Sequence, residues 1–195
     1  SSVQEQFKRE AALLARLRHP NLPQVHDFFL DALGRQYLVM EYVEGDDLQE
    51  AIARNNGPLP LAEVLAAVEQ VMQALAYMHG WRDPASQTQR AIIHRDIKPA
   101  NLKRTPEGRV VLVDFGIAKF GGEGNTANSA RAFTPGYAPI EQYHGGTDAR
   151  SDIYALGATF YALLTGHAPP SATSMMSGGT LSVPQQTKQP IPRRY

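Results

Sequence analysis

Two short apolar runs each end on a polar cluster, and those clusters constrain this chain more than any other feature in it. Ala91-Ile92-Ile93 leads into His94-Arg95-Asp96-Ile97-Lys98-Pro99-Ala100-Asn101, and Val110-Val111-Leu112-Val113 leads into Asp114-Phe115-Gly116. Each apolar run reads as a short buried strand, which sets a polar residue at its end. An Asp at a strand end, taken alone, is usually a turn or cap residue. The joint pattern is far more specific: Lys98 follows Asp96 closely, Asn101 follows both, and Asp-Phe-Gly closes the next strand.

Helix and strand signals surround the clusters. Phe7, Ala11, Leu14 and Leu17 form one apolar stripe, predicting a helix that ends before His19-Pro20. Val25 to Phe29 and Tyr37 to Val43 read as strands, with Ala32-Leu33-Gly34 turning between them. A long helix is predicted from Leu61 to Met78, with Leu61, Val64, Leu65, Val68, Met72, Leu75 and Met78 on its apolar face. Gly80 to Arg90 is polar, contains Pro84 and reads as a surface loop. A last helix is predicted from Asp152 to Leu164, stopped by Gly166. Ala168 to Tyr195, rich in Pro, Ser, Thr, Gly and Gln, reads as loop or a frayed end.

Composition narrows the classes. At 43% hydrophobic and 19% charged residues, the chain can bury a core. Nineteen Lys+Arg balance nineteen Asp+Glu, so there is no sign of a nucleic-acid groove or a polybasic membrane patch. Without cysteine there are no disulfides and no thiolate metal sites, which fits a cytoplasmic protein. No uncharged apolar run is long enough to cross a bilayer. Ser1 to Glu10 reads as charged helix rather than signal peptide, and a start inside a helix without Met reads as a fragment.

With these motifs the sequence resembles the eukaryotic-like (Hanks-type) serine/threonine protein kinases, in particular the bacterial members. The runs RDIKPANL, VDFGIAK and TPGYAP followed by Glu141-Gln142-Tyr143 carry the likeness, which extends from Phe7 to about Pro170. The fold class it implies is α+β, the two-lobed protein kinase fold in truncated form. Residues 1–43 would be part of the small lobe, residues 44–170 the helical large lobe with catalytic loop and activation segment, and residues 171–195 a loop-rich end.

The resemblance also implies site residues. Asp96 matches the catalytic Asp that takes or orients the proton of the acceptor hydroxyl. Lys98 matches the Lys that steadies the γ-phosphate. Asn101 and Asp114 match the Mg²⁺ ligands, with Mn²⁺ as a substitute; hard oxygen donors suit such an ion. Lys98 and Thr134 together point to Ser/Thr rather than Tyr substrates. For ATP, Met40 falls at the gatekeeper, Glu41 and Val43 at the adenine edge, and Asp47 at the ribose. Lys103 departs from the pattern, standing where an aliphatic residue usually forms the floor under adenine; its methylene stem could serve with the ammonium reaching out. Glu10 aligns with the helix Glu that pairs with an ATP-anchoring Lys. Leu14, Val25, His94 and Phe115 match a stacked column linking the lobes, and Gly116 completes Asp-Phe-Gly. Asp152 matches a buried Asp holding the catalytic loop. Glu141 matches the end of Ala-Pro-Glu, whose Arg partner normally lies beyond this chain.

Arg95 directly before Asp96 is the mark of kinases that respond to a phosphate on the activation loop, with Thr126 and Ser129 as the best acceptors. Gly122-Glu123-Gly124-Asn125-Thr126-Ala127 and Ile117-Ala118-Lys119 imitate nucleotide motifs, but both follow Asp114 and belong to the activation segment. No Gly-rich loop and no strand Lys precede Glu10. The implied partners are protein substrates bearing Ser or Thr, self-phosphorylation included, and no nucleic acid; membrane attachment is open. Two other readings stand beside this one: a pseudokinase scaffold, disfavoured by the intact Asp96, Lys98, Asn101 and Asp114, and a small-molecule phosphotransferase of the aminoglycoside type, disfavoured by Asp-Phe-Gly and the Thr134–Glu141 run.

Overall fold

The computed structural model describes residues 3–84, 86–115 and 134–181. Helix α1 spans Val3–Leu14 and buries Phe7, Ala11 and Leu14. Leu17 is also buried but lies outside the helix: the chain turns after Leu14, with the Leu17 amide on the Leu14 carbonyl at 3.0 Å. The apolar stripe was therefore right about burial and one turn too generous about helix.

Strands β1 (Val25–Leu30) and β2 (Gln36–Met40) form an antiparallel hairpin with Phe29 opposite Tyr37. The Asp31 carboxylate shapes its turn by accepting the amides of Leu33 and Arg35, both at 2.9 Å. β2 ends at Met40, short of the predicted Val43, because the chain leaves the ladder to tie the Glu41 amide to the Gln24 carbonyl at 2.8 Å.

A second sheet joins β3 (Asp46–Asp47), β4 (Leu102–Arg104) and β5 (Val110–Leu112) in that order, all antiparallel. Helix α2 (Leu48–Arg54) starts directly from β3. Asp47 caps it and Glu50 reaches back to the Asp47 amide, a capping box that satisfies two helix-end donors. Gly45, just before β3, has φ +118, and a Cβ there would stand 2.1 Å from the Arg104 carbonyl oxygen, so only glycine lets these backbones approach.

Helix α3 (Leu61–His79) runs through the core and buries Val64, Ala67, Val71, Ala74, Leu75 and Met78. Leu65 and Met72, expected on that face, are 49% and 54% exposed. The small side chains of Ala67 and Ala74 take the inner positions instead and let the helix lie close to its neighbours. The Ala91–Ile93 run is not a strand. Ile92 is buried by hanging its amide on the Met78 carbonyl at 3.0 Å, without a ladder.

Helix α4 (Ala149–Thr165) begins three residues before the predicted Asp152, because Asp148 and Ser151 form a second capping box, and ends on Gly166 at φ +77. A short helix, α5 (Ala172–Met176), capped by Ser171, lies in a stretch expected to be loop. Leu48, Leu75, Met78, Ile97, Leu102, Leu112 and Leu163 are the large side chains at the centre of the core. No helix among the described residues is long and apolar enough to cross a membrane.

Candidate active site

The loop from His94 to Asn101 has no regular structure until the 3-10 turn Pro99–Asn101, so something other than a ladder must hold it. Asp152, in the first turn of α4, is fully buried and accepts the His94 amide on Oδ2 at 2.9 Å and the Arg95 amide on Oδ1 at 2.8 Å. His79, the last residue of α3, adds a contact from Nε2 to Asp152 Oδ2 at 2.8 Å. A buried carboxylate is tolerable only with such partners. Arg95 itself sits at φ +69, a left-handed conformation uncommon for a non-glycine residue.

Beyond Arg95, four side chains converge. Asn101 donates from Nδ2 to the Asp96 carbonyl at 2.7 Å and to Asp96 Oδ2 at 3.1 Å. The Thr134 hydroxyl donates to Asp96 Oδ1 at 3.2 Å. Lys98 Nζ lies 3.1 Å from Asp96 Oδ2 and donates to Thr134 Oγ1, also at 3.1 Å. Both oxygens of Asp96 are thereby aimed by neighbours, and a cation is held beside the carboxylate. Asp114 follows β5 at φ +59 and is exposed. Its strand is tied to the loop by the Val113 amide on the Asn101 carbonyl at 2.9 Å. Phe115 packs against His94 with ring centroids 5.0 Å apart. Leu14, Val25 and Phe115 belong to the same core cluster, and His94 is fully buried.

The adenine-side residues are placed separately. Met40 ends β2, Val43 is buried and the Glu41 carboxylate accepts the Gln24 amide at 3.3 Å. Asp47 and Lys103 face each other across β3 and β4. The Lys103 ammonium is drawn to the Gly45 carbonyl at 3.0 Å, and the Asp47 carboxylate is engaged by the Glu50 amide at 2.8 Å.

Glu10 is half-buried on α1 and accepts from Gln6 at 3.3 Å. Burial pushes its carboxyl above the usual range; the Gln6 hydrogen bond and the Arg95 and Arg90 charges pull the other way. Burial likewise lowers the Arg95 guanidinium from its ordinary value, opposed by Glu10 and Asp152. Glu141 accepts the Ser151 hydroxyl at 3.0 Å. His79, Gln142 and Ser151 are contacts that sequence reasoning missed; Ser151 alone left a signal, the Asp148-to-Ser151 cap spacing. Gly116, Thr126 and Ser129 lie outside the described residues.

Residues 1–191 match the protein kinase domain family. The chain belongs to that family. A probable serine/threonine-protein kinase of Streptomyces coelicolor is 38% identical over 175 residues, covering 86% of this chain and 24% of its own length. The serine/threonine-protein kinase PrkC of Bacillus subtilis is 39% identical, covering 88% of this chain and 25% of its own. The crystal structure of the Mycobacterium tuberculosis PknI kinase domain is 35% identical with a TM-score of 0.68, covering 87% of this chain and 60% of that one. This kinase chain thus spans about a quarter of the length of those two curated relatives.

Proposed function

We propose that the chain carries the catalytic centre of a protein serine/threonine kinase, which moves the γ-phosphate of ATP to Ser and Thr hydroxyls of protein substrates. The hydrogen-bonded cluster of Asp96, Lys98, Asn101 and Thr134 carries this reading. The new bond joins the hydroxyl oxygen to phosphorus, ADP leaves, and the hydroxyl proton passes to Asp96. Lys98 balances charge on the transferring phosphoryl group. Thr134 bridges Lys98 and Asp96, which supports hydroxyl acceptors of the Ser/Thr kind. Met40, Glu41, Val43, Asp47 and the Lys103 stem would receive adenosine, and Glu10 would pair with a strand Lys.

A divalent ion fits the residues present. The Asn101 amide nitrogen is used on Asp96, which leaves its amide oxygen as the coordinating atom, and Asp114 offers an exposed carboxylate at the end of β5. Both are hard oxygen donors of the kind Mg²⁺ takes alongside phosphate oxygens. The ion would neutralise phosphate charge when bound.

Full-length protein incubated with radiolabelled ATP and Mg²⁺ should label a basic protein substrate on Ser or Thr in phosphoamino-acid analysis. Labelling of Tyr alone, or of no protein, would overturn the reading. The isolated 195 residues should transfer nothing, since no Gly-rich loop or strand Lys within them holds the phosphates. Mg²⁺-dependent self-phosphorylation by that piece would show this part wrong.

Arg95 supports regulation by a phosphate on Thr126 or Ser129, because a phosphate brings nearly two negative charges and pairs well with Arg. Mass spectrometry of the active protein should find phosphate between Gly116 and Thr134. A stoichiometrically bare segment in fully active enzyme would count against it.

A further inference from the structure

Two pairs of consecutive residues hold the catalytic loop from different sides. In the first turn of α4, the Ser151 hydroxyl donates to Glu141 Oε1 at 3.0 Å while Asp152 accepts the amides of His94 and Arg95. In the 3-10 turn Ile140–His144, Glu141 receives Ser151 while Gln142 Nε2 donates to the Arg95 carbonyl at 2.9 Å. Helix α4, the 3-10 turn and the catalytic loop are thus joined pairwise into a closed ring.

The Gln142 bond falls at a sensitive place. Arg95 is in the left-handed region, which a non-glycine residue leaves unless its surroundings hold it. Asp152 fixes the peptide on its amino side. Gln142 fixes the peptide on its carboxyl side, the same unit whose N–H belongs to Asp96. The orientation of that plane sets the direction in which the Asp96 side chain leaves the backbone. Gln142 is 4% exposed, so water does not readily replace its amide. The stretch that contributes Gln142 also contributes Thr134, which donates to Asp96 directly.

We propose that Gln142 is a positioning residue for Asp96. It clamps the Arg95–Asp96 peptide, so that folding of the Thr134–His144 stretch onto the loop and the aiming of Asp96 are one event. This deepens the kinase reading and rests on it.

The test uses full-length protein with Gln142→Met, which keeps length and buried volume but has no donor, and Gln142→Glu, which keeps the shape and as a carboxylate also has none. Both should lower kcat about tenfold while KM for ATP and for a peptide substrate stays within about twofold, the pattern of an interaction that matters in the transition state. Deuterium exchange of residues 93–98 should quicken in both, with the melting temperature of the Met variant near that of the wild type. Unchanged kcat together with wild-type exchange would overturn the proposal. So would a lowered melting temperature with full kcat in the folded fraction, the result of a purely structural role. A wild-type protein that labels no substrate would remove the kinase reading instead, and the exchange comparison alone would then decide the clamp.

Discussion

Asp96→Asn and Asp114→Asn in the full-length protein should each lower phosphate transfer by on the order of a hundredfold to ten-thousandfold, with the fold intact. The two losses arise differently. Asn at position 96 still accepts from Thr134 and Asn101 through its one carbonyl oxygen, but it cannot take a proton, and it sets a neutral amide beside Lys98. Asn at position 114 keeps an oxygen for Mg²⁺ and loses the charge, so raising Mg²⁺ should recover part of the rate there and none at position 96. Asp114 is exposed, so its replacement should leave unfolding almost untouched. Near-normal rates in either variant would refute its assigned role.

Asp152→Ala should be the most damaging change to the fold itself. It strips the acceptor from two amides and from His79 at a fully buried position. Unpaired buried donors of this kind cost about 1–3 kcal/mol each, so an overall loss of about 3–5 kcal/mol is expected in urea unfolding. The catalytic loop would lose its shape in the same step, so activity should vanish even in the fraction that stays folded. A variant that unfolds within about 1 kcal/mol of the wild type would show that the loop is held elsewhere.

The cluster around Asp96 was legible because its chemistry is local. Asp96, Lys98 and Asn101 lie within two turns of chain, and the reaction dictates both their type and their spacing. Gln142 was not legible, because its partner is a backbone carbonyl 47 residues away, and a carbonyl leaves no mark on a sequence. Helix α2 was missed despite a signal: Asp47 and Glu50 form a capping box ahead of the buried Leu48, Ala51 and Ile52. Ile92 misled for a different reason. An apolar run records burial, and burial here comes from a single amide on Met78 rather than from a strand. On α3 the width of the apolar stripe hid which part faces inward, and alanines rather than Leu65 and Met72 make the close approach.

The chain just after α1 is stitched to the elements below it. The Asn21 side chain donates to Gln70 on α3 at 2.9 Å and to the Val110 carbonyl at 2.7 Å, and its own carbonyl takes the Leu112 amide at 2.9 Å. The Arg18 amide reaches the Tyr77 hydroxyl at 3.0 Å, and His19 stacks on Tyr77. In mechanical terms, α1 is a lever whose fulcrum is this end. Sliding it along its axis would break every one of these bonds, whereas swinging it about residues 15–18 breaks none of them. Glu10, one turn from the fulcrum, would sweep only a short arc, while Val3 at the far tip would sweep one several times longer. A push that moves Glu10 finely is therefore best applied at the tip, where a coarse displacement is geared down.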